Sequence, residues 1–263
     1  MAVTQEVQSE LVEYLLMAQR ERREVEKLTA KYPDLPIETA YEIQAQLIAR
    51  MEADGERSIG LKLGLTSRAK QQMMGVHEAI YGYLTDGMLA LEWEPLSCQR
   101  FIHPKAEPEI AFLMGEDLAG IAVTAEDVLR ATRYVAPAIE IIDSRYENFR
   151  FTLPDVVADN CSSSAFLVGS KWVSPHEFDL ALTGVVMSKN GVIQTTGSGA
   201  AVLGSPAAAM AWAVNKLGER GLGLKKGQIV LSGAITEAIA FEPGDVITVT
   251  VDGLGSVSFG CQA

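Results

Sequence analysis

Three glutamates interrupt stretches that are otherwise typical of apolar β-strands, so any fold of this chain has to supply partners for them. Glu107 and Glu109 flank Pro108, and Glu140 lies inside the apolar run 138–142. Residues two apart on a strand point to the same face, which places the first two side chains about 7 Å apart. Buried carboxylates are costly without a positive partner, and their oxygens are ligands that Mg²⁺ or Mn²⁺ prefers. The pattern therefore predicts a metal-assisted enzyme.

The alternative for Glu107 and Glu109 is a half-exposed strand whose solvent face carries both side chains. Exposed glutamates are common, and the apolar residues between and after them would then face inward. Both arrangements explain this pair equally well. Glu140 favours the metal site, because its isoleucine neighbours leave little sign of a solvent-facing side.

Lys62 lies in the strand-like segment 59–65, and its neighbours two residues away on the same face are Gly60 and Gly64. A lone lysine in a strand is usually a solvated charge at a sheet edge. Here the glycines leave space around the side chain, and a turn-like segment, 64–67, follows it. These features favour a functional cation or an ion pair with one of the glutamates.

Composition and charge exclude several classes of protein. Lysine and arginine total 22 against 34 acidic residues, a net charge of −12, which argues against a nucleic-acid partner. Glu6 and Glu10 precede any apolar run, and no apolar stretch is long enough to span a bilayer. Neither a signal peptide nor a membrane segment is predicted. We therefore expect a water-soluble, cytoplasmic protein.

The cysteines indicate the same compartment. Cys98, Cys161 and Cys261 are widely spaced and odd in number, and the chain contains no Cys-x-x-Cys pair. Neither a zinc site nor a disulfide framework is predicted from them. A reducing cytoplasm is the simplest interpretation of this pattern.

The order of elements predicts an α+β fold. Apolar residues at helical spacing indicate helices over 5–20 and 39–55, which define an N-terminal helical region, residues 1–57. From residue 58 onwards, short strands are interrupted irregularly by helices. Because regular βαβ alternation is absent, a doubly wound sheet is not expected, and a β-roll catalytic domain over 58–263 fits better.

Local capping signals predict two further helices. Thr124 begins a capping-box sequence, and the helix that follows should run past Val135 and end at Pro137. Ser205 and Pro206 form an N-cap and first-turn pair that begins another helix. Further strands are predicted over 228–231 and 245–251.

Four segments, taken together, carry a family resemblance. They are 60–67 (Gly-Leu-Lys-Leu-Gly-Leu-Thr-Ser), the Glu107/Glu109 pair, 140–145 (Glu-Ile-Ile-Asp-Ser-Arg) and 157–160 (Val-Ala-Asp-Asn). The combination resembles the hydratase/decarboxylase branch of the fumarylacetoacetate hydrolase superfamily, from around residue 10 to the C-terminus. The resemblance implies a mixed β-roll core and a homo-oligomer. It also implies a divalent metal, Mg²⁺ or Mn²⁺, held by Glu107, Glu109 and Glu140, with Lys62 as the active-site lysine.

Within that branch, two segments resemble decarboxylases more than hydratases. Hydratases of the branch read Gly-Val-Asp-Gln-Pro-Asp-Phe-Gly where residues 75–82 read Gly-Val-His-Glu-Ala-Ile-Tyr-Gly, so Ile80 replaces an aspartate. Water addition needs a group that transfers protons, which isoleucine cannot do, whereas apolar surroundings favour loss of CO₂. Segment 143–151 also resembles the decarboxylases. The implied reaction is metal-dependent decarboxylation of 2-oxo-3-hexenedioate to 2-hydroxypenta-2,4-dienoate, in meta-cleavage degradation of aromatic compounds.

Three alternatives stay open beside the decarboxylase. The first is a hydratase of the same branch, which adds water to 2-hydroxypenta-2,4-dienoate. The second is a C–C hydrolase of acylpyruvates, in which His77 would have to serve as the base. The third is a non-catalytic subunit bound to the hydratase of the pathway. Complex formation with that hydratase is also compatible with a catalytic chain, and the intact set of Lys62 and glutamates favours catalysis.

The implied substrate is a small dicarboxylic 2-oxo acid, and the sequence offers several groups to bind it. Lys62 would hold the developing negative charge or transfer a proton. Backbone amides near Leu65 and the Ser162 hydroxyl are candidates for binding its carboxylates. Arg145 is another, with a structural salt bridge as the alternative. Asp143 either lines the same cleft or belongs to a turn.

Overall fold

The computed structural model describes residues 3–263, except for the side chains of Lys70, Met73 and Met74. The α-helices are α1 (Gln5–Glu21), α2 (Leu28–Lys31), α3 (Ile37–Ala53), α4 (Arg68–Met74), α5 (Ala125–Ala131), α6 (Leu153–Ala158) and α7 (Pro206–Gly218). The strands are β1 (Ser58–Gly64), β2 (Ile80–Thr85), β3 (Leu96–Ser97), β4 (Lys105–Met114), β5 (Leu118–Ala119), β6 (Thr132–Ile142), β7 (Ser163–Val168), β8 (Gly184–Lys189), β9 (Val192–Ser198), β10 (Gly223–Leu224), β11 (Ile229–Leu231), β12 (Ile239–Ala240), β13 (Val246–Val251) and β14 (Gly255–Gln262). None of the helices in this range is long and apolar enough to cross a membrane.

Two large sheets form the body of the molecule. One has the strand order β2-β1-β11-β4-β6-β7, with β12 also paired to β4, and the other has the order β3-β14-β13-β8-β9. β1 and β11 run parallel, whereas β1–β2, β11–β4 and β4–β6 are antiparallel, so the first sheet is mixed. Strands β13 and β14 pack against β6. Ile139 and Glu140 are neighbours that point to opposite faces of β6, and both are fully buried, so both faces are covered there. This architecture confirms the predicted α+β class.

Helices α1 and α3 confirm the N-terminal helices, and this helical region contacts the β-rich part directly. Gln44 on α3 is buried, and its side-chain amide donates hydrogen bonds to the carbonyls of Tyr81 (3.0 Å) and Val157 (2.9 Å). Thr29 on α2 donates through its N–H (2.8 Å) and its hydroxyl (2.7 Å) to the Asp155 carboxylate. The predicted domain boundary falls between α3 and β1, and the buried core is continuous across it.

The helix predicted to follow Thr124 is shorter than the sequence indicates. Its capping box is present, because Thr124 and Asp127 exchange hydrogen bonds, but α5 spans only 7 residues. Val135 and Pro137, which the prediction placed within the helix and at its end, lie in β6 and pair with β4. Valine is β-branched and favours strands, and sheet pairing is a tertiary effect that overrides local helix signals. The other predicted elements, α7, β11 and β13, are confirmed.

Cysteine spacing predicts no disulfide framework, but the structure contains one bonded pair, so the cysteines no longer support a reducing compartment. Cys98 and Cys261 are bonded, although they are 163 residues apart in sequence, and their Cα atoms lie 5.6 Å apart. β14 runs parallel to β3 with Cys261 opposite Leu96, which brings the last strand beside the segment that carries Cys98. Because this proximity arises from strand pairing, cysteine spacing alone could not reveal it. Cys161 is free and buried.

Thiol titration should distinguish these three cysteines. We expect no rapid reaction in the native protein, because Cys98 and Cys261 are oxidised and burial raises the pKa of the Cys161 thiol to about 12. Unfolding without reductant should expose one reactive thiol, and adding reductant should expose all three. Three reactive thiols in the unreduced, unfolded protein would show that Cys98 and Cys261 are not bonded.

Candidate metal centre

Strand register brings the predicted glutamates and lysine together on one face of the mixed sheet. In the antiparallel pair β4–β6, Glu107 lies opposite Glu140, and Glu109 follows two residues later on the same face. Lys62 projects from β1, which is separated from β4 only by β11. Side chains in register on neighbouring strands point to the same side, so residues far apart in the sequence form one cluster.

The three carboxylates of this cluster are buried and close together. One oxygen from each of Glu107, Glu109 and Glu140 lies within 4.8 Å of the other two. Glu109 and Glu140 are 0% exposed and Glu107 is 8% exposed. The half-exposed strand, which was the alternative for the first two residues, is therefore excluded. A set of carboxylate oxygens suits a hard divalent cation such as Mg²⁺ or Mn²⁺.

Lys62 contributes a positive charge to the cluster. Its Nζ lies 3.0 Å from Glu140 Oε2 and donates a hydrogen bond to the Cys161 carbonyl at 3.1 Å. Gly82 lies opposite Lys62 on β2, and a Cβ at that position would come within 3.2 Å of the lysine Cδ. Burial lowers the pKa of Lys62, but the nearby acidic groups, Glu140 foremost, raise it above its ordinary value. Lys62 is therefore an ammonium ion in this arrangement.

Burial disfavours the charged form of two carboxylates in the cluster, Glu109 and Glu140. Burial raises the pKa of Glu109 well above its ordinary value, and burial also raises that of Glu140. Glu109 Oε2 accepts a hydrogen bond from the Gly233 N–H at 2.6 Å, while Glu109 Oε1 and Glu140 Oε1 have no hydrogen-bond partner among the described residues. Ionised carboxylates without partners are strongly unfavourable inside a protein. A divalent cation would give these unpartnered Glu109 and Glu140 oxygens a positive partner, so the residues fit such an ion.

A cavity of about 100 Å³ opens beside the cluster. Lys62, Glu107 and Ser162 are among its polar lining residues. The rest of its wall is largely apolar and includes Leu65, Ile80, Ile142, Phe149, Phe151 and Val156. A small ligand in this cavity would therefore contact both charged groups of the cluster and apolar side chains.

Two of the predicted substrate-binding residues, Leu65 and Ser162, line this cavity, and both have left-handed backbone conformations. Their φ angles are 53° and 58°, and Asn160 and Cys161 are left-handed as well, at 47° and 55°. The Asn160 side chain holds this turn through two hydrogen bonds to the β2 backbone, of 2.8 and 2.9 Å. The Ser162 hydroxyl is buried and has no hydrogen-bond partner among the residues that the structure describes. Strained turns of this kind cluster at functional sites, which supports a ligand-binding role for Ser162.

The other two predicted residues, Asp143 and Arg145, are not among the cavity-lining residues. The buried Arg145 guanidinium is ion-paired with Asp159 and also donates to the backbone carbonyl of Ser163 at 3.2 Å. The Asp143 carboxylate accepts the N–H groups of two residues that precede β4, at 2.8 and 2.7 Å. This geometry favours the structural alternative for Arg145 and a turn-stabilising role for Asp143.

Sequence reasoning missed three residues of the site. Gly233, just after β11, orients Glu109, and its φ of 106° is one that residues with side chains rarely adopt. Phe149 and Phe151 form the aromatic part of the cavity wall. Their only sequence signal is an aromatic pair within segment 143–151. His77, the base that a C–C hydrolase would need, is exposed and is not a cavity-lining residue.

The sequence also matches a known protein family. Residues 67–260 match the family described as fumarylacetoacetate (FAA) hydrolase C-terminal. The fold and the buried carboxylate cluster agree with that match, and the chain belongs to the fumarylacetoacetate hydrolase family. The predicted family and its β-roll type of fold are confirmed.

The individual proteins that the chain resembles include decarboxylases and a hydratase. The chain is 44% identical over 248 residues to a 4-oxalocrotonate decarboxylase of Pseudomonas putida, covering 94% of each protein. It is 41% identical over 249 residues to a 2-hydroxyhexa-2,4-dienoate hydratase of Comamonas testosteroni, covering 93% of each. The solved structure of 4-oxalocrotonate decarboxylase from Pseudomonas putida G7, complexed with magnesium and adipate, superimposes with a TM-score of 0.96 at 42% identity over 99% of both chains.

Proposed function

We propose that this chain is a carboxy-lyase that converts 2-oxo-3-hexenedioate into 2-hydroxypenta-2,4-dienoate and CO₂ during meta-cleavage degradation of aromatic compounds. The observation that carries the proposal is a buried cluster of three carboxylates and Lys62 beside a cavity with largely apolar walls. The named decarboxylases among the relatives support this substrate. The proposed cofactor is Mg²⁺, or Mn²⁺, held by Glu107, Glu109 and Glu140, and the magnesium in the related structure supports it.

The reaction needs a place for negative charge and a source for one proton. The bond between C5 and the C6 carboxylate breaks, and its electrons move through the C3–C4 double bond to the C2 oxygen, which takes up a proton. A bound Mg²⁺ would supply Lewis-acid stabilisation at that oxygen. Lys62 Nζ lies 3.0 Å from Glu140 at the cluster, which suits it to act as a stabilising cation or as a proton donor to the C2 oxygen.

The apolar walls of the cavity favour conversion of the departing carboxylate into CO₂. Ile80 and the two phenylalanines, Phe149 and Phe151, line the cavity and offer neither hydrogen bonds nor charge. A carboxylate against such a surface is poorly solvated, whereas the neutral CO₂ that forms from it is not penalised. The same walls exclude water from the electron-rich product.

Replacing Ile80 by aspartate should slow CO₂ release. Ile80→Asp introduces a carboxylate beside the departing one and brings water into the cavity, so we expect kcat to fall about 10-fold to 100-fold. Ile80→Leu conserves volume and polarity and should retain nearly full activity. The measurement is the initial rate of CO₂ release at saturating Mg²⁺. Equal rates for wild type and Ile80→Asp would contradict the role assigned to the apolar wall.

The decisive assay offers 2-oxo-3-hexenedioate to the purified protein with and without Mg²⁺ and follows both CO₂ and substrate absorbance. Magnesium-dependent CO₂ release that Lys62→Ala and Glu107→Ala abolish would support the proposal. No CO₂ release, combined with magnesium-dependent consumption of 2-hydroxypenta-2,4-dienoate, would overturn it in favour of a hydratase. That second candidate is kept because the Comamonas relative is a hydratase at similar identity.

The assembly state and the compartment are part of the same proposal. Family resemblance supports a homo-oligomer and an association with the hydratase that consumes the product, and the bacterial catabolic relatives support a cytoplasmic location. Light scattering after size-exclusion chromatography gives the number of subunits. A monomer that does not co-elute with the hydratase would overturn this part and leave the catalytic proposal intact.

A further inference from the structure

Phe149, in the wall of the cavity, has a backbone conformation that needs support from outside. It belongs to the Phe149 loop, residues 147–151, in which Asn148 and Phe149 have φ angles of 56° and 59°. Left-handed residues other than glycine persist only where surrounding contacts determine the conformation. The structure therefore has to contain groups that hold this loop in place.

Glu24, in the segment between α1 and α2, supplies one of these contacts. Its Oε1 accepts a hydrogen bond from the Asn148 N–H at 2.9 Å. The neighbouring residue, Val25, donates to the Arg145 carbonyl at 2.8 Å and accepts from the Glu147 N–H at 3.0 Å. The N-terminal region is thus hydrogen-bonded to the backbone of Arg145, Glu147 and Asn148, immediately before Phe149.

His103, just before β4, connects Glu24 to the aromatic ring. Its Nε2 lies 2.6 Å from the Ser144 carbonyl oxygen and donates to it, because a carbonyl can only accept. Its Nδ1 lies 2.7 Å from Glu24 Oε1, the same oxygen that accepts the Asn148 N–H. The imidazole ring contacts the Phe149 ring, with centroids 4.9 Å apart. Lys105 Nζ lies 4.2 Å from the same Phe149 centroid.

We propose that Glu24 and His103 are positioning residues for the substrate cavity, which act by holding Phe149 in its wall. Neither residue is among those that line the cavity, so the effect on substrate is indirect. The inference rests on the proposed function only where it refers to substrate. Its structural half, the support of the Phe149 loop by Glu24, stands independently.

Steady-state kinetics with 2-oxo-3-hexenedioate test whether Glu24 affects the use of substrate. Glu24→Ala removes the acceptor of the Asn148 N–H and the carboxylate beside His103 Nδ1, and we expect KM to rise about tenfold while kcat changes less than about threefold. Glu24→Gln keeps an acceptor oxygen and should stay within about threefold of wild-type KM. Glu21→Ala is the matched control, because among the described residues Glu21 pairs at the surface with Arg23 alone, and this variant should behave as wild type.

A double-mutant comparison separates positioning from general destabilisation. If Glu24 acts through Phe149, Glu24→Ala should raise KM no further when it is added to Phe149→Leu. Multiplicative effects of the two substitutions would overturn the proposal. An unchanged KM in Glu24→Ala alone would overturn it as well.

Hydrogen exchange tests the loop without any substrate. The backbone amides of peptides covering 146–151 should exchange faster in Glu24→Ala than in wild type and Glu21→Ala, with peptides from β4 and β6 unaffected. Equal protection in all three proteins would overturn the proposal even if KM changed. If wild type releases no CO₂, the proposed function fails, and the exchange result still decides whether Glu24 supports the Phe149 loop.

Discussion

Glu109→Gln is expected to abolish magnesium-dependent CO₂ release, with kcat lower by about 10³-fold or more. The side chain is fully buried and belongs to the carboxylate cluster, and one of its oxygens is oriented by the Gly233 N–H. Glutamine has the same shape but removes one negative charge and one anionic ligand. Magnesium affinity, measured by isothermal titration calorimetry, should fall together with activity.

The same substitution should not weaken the metal-free fold. Burial raises the pKa of Glu109, so at neutral pH the ionised form of this carboxyl opposes folding, and a neutral amide removes that cost. We therefore expect the Tm in EDTA to stay equal or increase. Glu116→Gln, at an exposed position just after β4, is the matched control and should change neither activity nor Tm. A Glu109→Gln protein with wild-type magnesium affinity would contradict the assigned metal centre.

Arg145→Met is expected to lower the free energy of unfolding by about 3–5 kcal/mol. The substitution removes the only guanidinium paired with Asp159 in the described part of the chain and leaves a fully buried carboxylate without a cation. Urea unfolding followed by circular dichroism measures the change. The double variant Arg145→Met/Asp159→Asn removes the unpaired charge as well and should recover part of the loss.

The stability of this pair should also depend on pH. Burial raises the pKa of Asp159 from 3.8 to about 6, even though Arg145 lowers it. The folded state therefore binds this proton more tightly, and the contribution of Asp159 to stability decreases as the pH rises from about 4 to about 6. Without Arg145 the pKa rises further, so the decrease should extend above pH 6. Loss of that extension in Arg145→Met/Asp159→Asn would identify Asp159 as its source.

Arg145→Lys tests whether this residue binds substrate or only supports the fold. The structural interpretation predicts a less stable protein whose KM, measured at low temperature where it is folded, is close to wild type. A direct contact with a substrate carboxylate would instead raise KM about 10-fold to 100-fold, because lysine cannot reproduce the planar fork of arginine. An increased KM together with wild-type stability would restore the substrate-binding prediction.

Predictions from the sequence succeeded where a signal was local and failed where a distant segment decided the outcome. The capping box at Thr124 correctly indicated the start of α5. The same segment continues into Val135 and Pro137, which pair with β4 because that strand is available in the folded sheet. Likewise, Cys98 and Cys261 have no meaningful spacing in sequence and meet only because β14 aligns with β3.

The sequence by itself identified the members of the cluster, because a charge within an apolar strand is costly and therefore conspicuous. Lys62, Glu107, Glu109 and Glu140 are such charges, and the structure brings all four together. Tertiary structure alone decided that Arg145 pairs with Asp159 outside the cavity and that Phe149 lies in its wall. Strand periodicity is a local property of the chain, whereas the partner of a buried arginine and the lining of a cavity depend on contacts between distant segments.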